Sequence, residues 1–294
     1  MKKIIFKLIL STVFLSLAAF ANDDLSKVVI KATSLTSSLY MLEGAGGNIT
    51  ASIGTDGVLL VDDDFAEMSD RLVTKLKELG GNSPRFIVNN HFHYDHTGGN
   101  EAFGSSATII AATAVRERLM TEQTLWHEKH PPVPTRALPN LTYDQSLTLH
   151  LNNDDIRVVH LPHGHTDGDS VVFFEQGKVV SMGDLYFSGM YPIFHPEHDG
   201  NLDGYIKDIE FVLKQIPSDA QIVPGHGPLS NKTSLEKYYR MILASISTVK
   251  SGIKKKLSLQ QIQKNGLDQE WESFSHGYRT TDQWLESVYK SLKK

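Results

Sequence analysis

The 294-residue chain contains no cysteine. That excludes disulfides and every thiolate metal site, so a transition metal bound here must be held by histidine, aspartate or glutamate. A chain of this length can bury a core that needs no covalent staple. There is no excess of positive charge either: 29 Lys and Arg against 34 Asp and Glu give a formal net charge of −5. The basic footprint of a nucleic-acid binder is missing. Low-complexity tracts, heptad runs and short-period repeats are also absent, which excludes coiled coils and solenoids. The apolar run over residues 8–20 is short for a membrane span. Lys2, Lys3 and Lys7 precede it and Ala19-Phe20-Ala21 closes it, the layout of a secretory signal peptide cut after Ala21. The expected organisation is a signal peptide over 1–21 and one α/β domain over 22–294 that ends in helices. Such a protein is periplasmic or secreted, with no membrane attachment after cleavage.

What is present is a chain of short strands alternating with helices. Apolar and β-branched runs over 39–42, 49–53, 58–61 and 86–88 read as strands punctuated by glycine. Leu72, Val73, Leu76 and Leu79 mark a helix that Gly80-Gly81 ends. A second round follows: a strand over 107–111, a helix over 114–125, then strands over 146–151, 156–161, 171–174 and 179–182. Between them, 126–140 holds four prolines and reads as a long loop, a candidate lid. Helices are expected over 202–213 and after Thr233-Glu236 and Ser258-Gln261, both with capping-box spacing. Sheets with helices outside them are the expected architecture.

Four segments carry chemistry, and each follows a predicted strand. The first is His91-Phe92-His93-Tyr94-Asp95-His96, three imidazoles and a carboxylate within six residues. A loop leaving a strand turns alternate side chains to one side, so His91 and His93 can grip one ion while Asp95 and His96 point to a neighbouring position. Imidazole and carboxylate together, without thiolate, suit zinc. The others are Pro162-His163-Gly164-His165-Thr166, Gly183-Asp184-Leu185 and Pro224-Gly225-His226-Gly227. His127, His130, His195 and His198 read as loop residues rather than ligands.

In this order the four segments resemble the sequential metal-binding motifs of the metallo-β-lactamase superfamily, over about 39–229. Asp62, at the end of a strand, matches an early aspartate of that family that supports the metal loop. The resemblance implies an αββα four-layer sandwich with the site along one edge of the two sheets. It implies a first metal position held by His91, His93 and His165, a second held by Asp95, His96 and His226, and Asp184 bridging the two. His165 is preferred to His163 because the family pattern is Gly-His-Thr. Two zinc ions per chain are expected, with iron or manganese as the other candidates. Two such ions about 3.5–4 Å apart share a water and lower its pKa toward about 7. The implied reaction is hydrolysis of a small-molecule acyl bond (amide, ester, thioester, lactone or β-lactam) by a metal-bridging hydroxide. Asp95 would hold the orientation of that hydroxide, and Tyr186 would donate to an oxyanion unless it packs in the core. The ligand set is similar to that of glyoxalase II and the lactonases. A phosphodiesterase, a mono-iron persulfide dioxygenase using His91, His165 and Asp184, and a non-catalytic metal-binding protein are the alternative readings.

Overall fold

The computed structural model describes residues 25–125 and 128–293, so the expected signal peptide lies outside the described residues. The first sheet opens with an antiparallel meander: β1 (Lys31–Ser34), β2 (Leu39–Glu43), β3 (Ile49–Gly54) and β4 (Gly57–Val61). It continues with β5 (Phe86–Val88) and β6 (Thr108–Ala112), both parallel to their neighbours. A separate hairpin of β7 (Gln123–Leu125) and β8 (Glu128–His130) follows, and β9 (Leu141–Tyr143) completes the first sheet beside β6. The second sheet has six strands in sequence order: β10 (Ser146–Leu151), β11 (Asp154–His160), β12 (Ser170–Phe174), β13 (Val179–Ser181), β14 (Gln221–Val223) and β15 (Ser230–Asn231).

Strand alternation explains why the sheets are covered on both faces. In β4, Leu59 and Val61 point to the space between the sheets, where they meet Ile156, Val158, Val172 and Phe174. Val58 and Leu60 point the other way, onto Leu72 and Leu76 of helix α1 (Ser69–Glu78). In β12, Val171 and Phe173 turn outward from the inter-sheet core. They join a cluster with Tyr205 and Ile209, Tyr238 and Ile242, and Trp284 and Val288. Each fully buried side chain of this kind contributes about 1.5–3 kcal/mol through removal of apolar surface from water. The order is helix, sheet, sheet, helix, the four-layer αββα sandwich expected from the sequence.

The remaining helices are α2 (Tyr94–Thr97), α3 (Asn100–Phe103), α4 (Thr113–Leu119), α5 (Leu202–Gln215), α6 (Lys232–Lys254), α7 (Leu259–Asn265) and α8 (Thr281–Leu292). None of the described helices is long and apolar enough to cross a membrane. Three expectations are corrected. The helix expected over 114–125 ends at Leu119, and its last residues form β7. Residues 126–140 are not one loop: they contain β8 and a 3₁₀ turn at Thr135–Ala137, while Trp126 and His127 lie outside the described residues. Helix α6 starts before Thr233, and its cap is Asn231, whose side chain accepts from Ser234 N at 3.0 Å. The Ser258-Gln261 box caps α7 as expected, and Thr280-Gln283 caps α8 in the same way.

Candidate metal centre

The site forms because two parallel strand pairs end in register. Val61 of β4 pairs with Val88 of β5, and Ser181 of β13 with Val223 of β14. The loops that leave these ends emerge together at one edge of the sandwich. They carry Asp62, the His91 to His96 motif, Asp184 and His226; His165 joins them from the loop between β11 and β12.

Asp62 adopts a left-handed φ of 65° at the end of β4. One of its oxygens accepts from Asn90 N at 2.7 Å and the other lies 2.7 Å from His96 Nδ1. That contact fixes the imidazole and leaves Nε2 facing the centre, the usual support for a metal-ligating histidine. His165 is set by its main-chain N–H donating to Asp169 Oδ2 at 2.5 Å and by Nδ1 at 2.8 Å from Ile193 O. Its Nε2 lies 3.0 Å from His93 Nδ1. His163, by contrast, is exposed with φ 78°, whereas His165 is buried. Glycines let two neighbouring loops close on the site. A Cβ on Gly47 would lie 2.1 Å from the His96 ring, and one on Gly225 would lie 2.1 Å from Asp184 Oδ1.

The seven residues named from the sequence come together as two groups. His91, His93, His165 and Asp184 offer ligand atoms within 4.8 Å of one another, as do Asp95, His96 and His226. All are buried. Asp184 lies between the groups. Its Oδ1 is 3.2 Å from His96 Nε2 and 3.3 Å from His226 Nε2, and its Oδ2 is 3.3 Å from His165 Nε2. Asp95 Oδ2 is 3.1 Å from His226 Nε2. Both ring nitrogens of His91 and Oδ1 of Asp95 are buried without a hydrogen-bond partner among the described residues. Burial without a partner is costly for such groups, and a cation at each position would supply what is missing. The donor set fits zinc.

The protonation pattern points the same way. Burial holds His91 and His93 well below the ordinary imidazole range and pushes His165 down to about 3. These rings are neutral, the state a metal requires. For His226 burial also works against the charge, but the carboxylates of Asp184 and Asp95 outweigh it and raise the group to about 9. His96 goes up for the same reason, against burial, through Asp95, Asp184 and Asp62. Without a cation, protons gather on these two imidazoles to balance the acids.

Residues 46–226 match the profile of the family described as the metallo-beta-lactamase superfamily. The chain belongs to that superfamily. All seven residues named from the sequence lie within that span. Among relatives, the chain is 28% identical over 153 residues to a hydroxyacylglutathione hydrolase of Pelagibacter ubique; the match covers 48% of this chain and about half, 51%, of that protein. It is 23% identical over 245 residues to a metallo-beta-lactamase type 2 of Elizabethkingia meningoseptica, covering 80% and 93%. Its fold is similar to that of the inverting sec-alkylsulfatase Pisa1 from Pseudomonas sp., with TM-score 0.69 and 15% identity over 89% of this chain and 50% of that one.

Other placements differ from the sequence reading. Tyr186 is a core residue: it is buried against Tyr238, with its hydroxyl 2.7 Å from Ser230 Oγ. It follows β13 in extended backbone, where neighbours face opposite ways. Its neighbour Phe187 takes the site side, stacked on His226 at 5.3 Å. The hydroxyl beside the centre is instead Tyr278, 3.1 Å from His226 Nδ1 and 42% exposed. It comes from the segment before α8, in a tail with no recognised motif. His195 and His198, read as loop residues, are buried next to His93.

Proposed function

We propose that this metal-dependent hydrolase cleaves an acyl bond of a small molecule (amide, ester, thioester or lactone, with β-lactams among the candidates) using two zinc ions, and that it does so after export. The observation that carries the two-ion reading is Asp184, whose two oxygens face different ligand groups. The acyl reading draws on the relatives, named as a hydroxyacylglutathione hydrolase and a metallo-beta-lactamase.

His91, His93 and His165 would hold one ion, Asp95, His96 and His226 the other, and Asp184 both. Zinc in such a pair supplies a water activated near neutral pH and a Lewis acid for the carbonyl oxygen. Asp95 Oδ1, buried and without a hydrogen-bond partner among the described residues, can accept from that water and hold its orientation. When His226 ligates through Nε2, its Nδ1–H donates to the Tyr278 oxygen, which fixes the ring. Tyr278 then stands at the solvent-facing side of the centre, beside Phe187 and His226. An oxyanion donor is useful at that place, and Tyr186 does not reach it.

The test is a panel of chromogenic esters, thioesters, lactones and β-lactams beside a phosphodiester and an alkyl sulfate, with metal quantified in the same preparation. Turnover of an acyl substrate, lost with a chelator and in His93→Ala, is expected. Turnover of only the phosphodiester or the sulfate would overturn the acyl reading. One iron per chain with persulfide oxidation would overturn both the reaction and the metal.

A further inference from the structure

A third group of potential ligands lies outside the seven. His93, His195 and His198 offer ligand atoms within 4.8 Å of one another, and all three are buried. His195 caps the 3₁₀ turn Pro196–His198 and His198 ends it, and residues three apart in such a turn eclipse and so share a face. The turn is tied to the principal centre because His195 N donates to His165 O at 2.9 Å. Glu197 Oε1 lies 2.9 Å from His195 Nδ1. A carboxylate on one ring nitrogen fixes the tautomer and leaves the other with a lone pair, as in carboxylate–histidine–metal arrangements. That other nitrogen, His195 Nε2, is buried without a hydrogen-bond partner among the described residues, and so is His198 Nδ1. The cation near His198, Arg118, is paired with Asp167 at 2.7 Å. Phe92 packs edge-on against the His198 ring and excludes water from that side.

From these contacts we infer that His93, His195 and His198 form an additional site for a divalent transition-metal ion of the zinc or copper class, adjoining the principal centre. Three imidazoles without thiolate select that class. His93 serves both sites. Its Nδ1 faces His165, and its Nε2 would serve the ion held with His195 and His198, giving up its ring proton to solvent when that ion binds. The bound ion cross-links the turn bearing His195 and His198 to the motif bearing His93. Whether the principal centre holds one ion or two does not enter this inference.

The experiment compares wild type, a His195→Ala/His198→Ala variant and an Asp95→Asn/His226→Ala variant. Each is loaded with excess Zn²⁺, desalted and measured for metal per chain by mass spectrometry, with circular dichroism as the fold check. The His195/His198 variant is expected to carry one equivalent less than wild type, and to lose it independently of the ion lost in the other variant. Wild-type metal content in a folded His195/His198 variant would overturn the site. Wild-type content in the Asp95/His226 variant would contradict the two-ion reading of the principal centre instead. Should the alanine pair fail to fold, a His195→Gln/His198→Gln variant replaces it in the same comparison: one equivalent less than wild type supports the site, and wild-type content in the folded variant overturns it.

Discussion

His91, His93 and His165 on one side of Asp184, and Asp95, His96 and His226 on the other, are prepared for a cation in different ways. The first set consists of imidazoles that burial keeps neutral, with His165 oriented by a main-chain carbonyl. The second set is an acidic nest. His96 is clamped by Asp62, His226 touches Tyr278, and Asp95 and Asp184 raise the proton affinity of both imidazoles, with Asp62 adding to the effect on His96. The first half therefore presents a cage of neutral imidazole nitrogens. The second presents a negative site where protons stand in until a metal displaces them. For the proposed pair of ions, the difference predicts one position whose affinity is nearly indifferent to pH and one whose affinity is set by it.

Four changes break or sharpen this contrast. Asp184→Ala should do the most, because it removes the one side chain common to both halves. Metal content should fall at both positions, and kcat/KM should drop by more than about a hundredfold; equal metal content by mass spectrometry would contradict the shared role. Asp62→Asn should act on one half only. Loss of the carboxylate behind His96 is expected to weaken the second ion by about 10–100-fold, with the first unchanged in a competitive chelator titration. The third is pH. His226 without metal titrates at about 9, so below that value an ion must displace a proton from it. Affinity at the second position should rise with pH, by about tenfold per unit for each proton released, and level off above the folded pKa. At the first position His165 is already neutral above about 3, so affinity there should stay flat between pH 5 and 9. The smallest effect is expected from Tyr278→Phe: a change in kcat of about tenfold or less, with KM and metal content little altered. A pure loss of metal in that variant would make Tyr278 a support for His226 alone.

Much of this centre was legible in the sequence because its ligands are local. The motif from His91 to Asp95 and His96 is contiguous, and each further ligand follows a strand visible from its apolar run. The αββα layering was implied by the family resemblance; apolar runs such as 58–61 and 171–174 showed the order of the elements but not how the two sheets pack. The short strands β1, β9 and β15 were not visible, since two to four residues without a clear alternation leave no period to detect. The docking of the tail was not legible either. The apolar face of α8 shows that Trp284 and Leu285 are buried, but not that the segment before them brings Tyr278 to His226. The choice between Tyr186 and Phe187 depended on which residue after β13 turns inward, a parity fixed by the bridge between Phe187 and His226. His195 and His198 sat among proline and acidic residues and read as a polar loop. Their burial is a tertiary effect of the main-chain bond to His165.

The most direct measurement is a zinc-edge anomalous difference map from crystals of the metal-loaded protein. The account predicts two peaks flanking the Asp184 carboxylate, one within bonding distance of His91, His93 and His165, the other of Asp95, His96 and His226. A single peak there, or none, would contradict it.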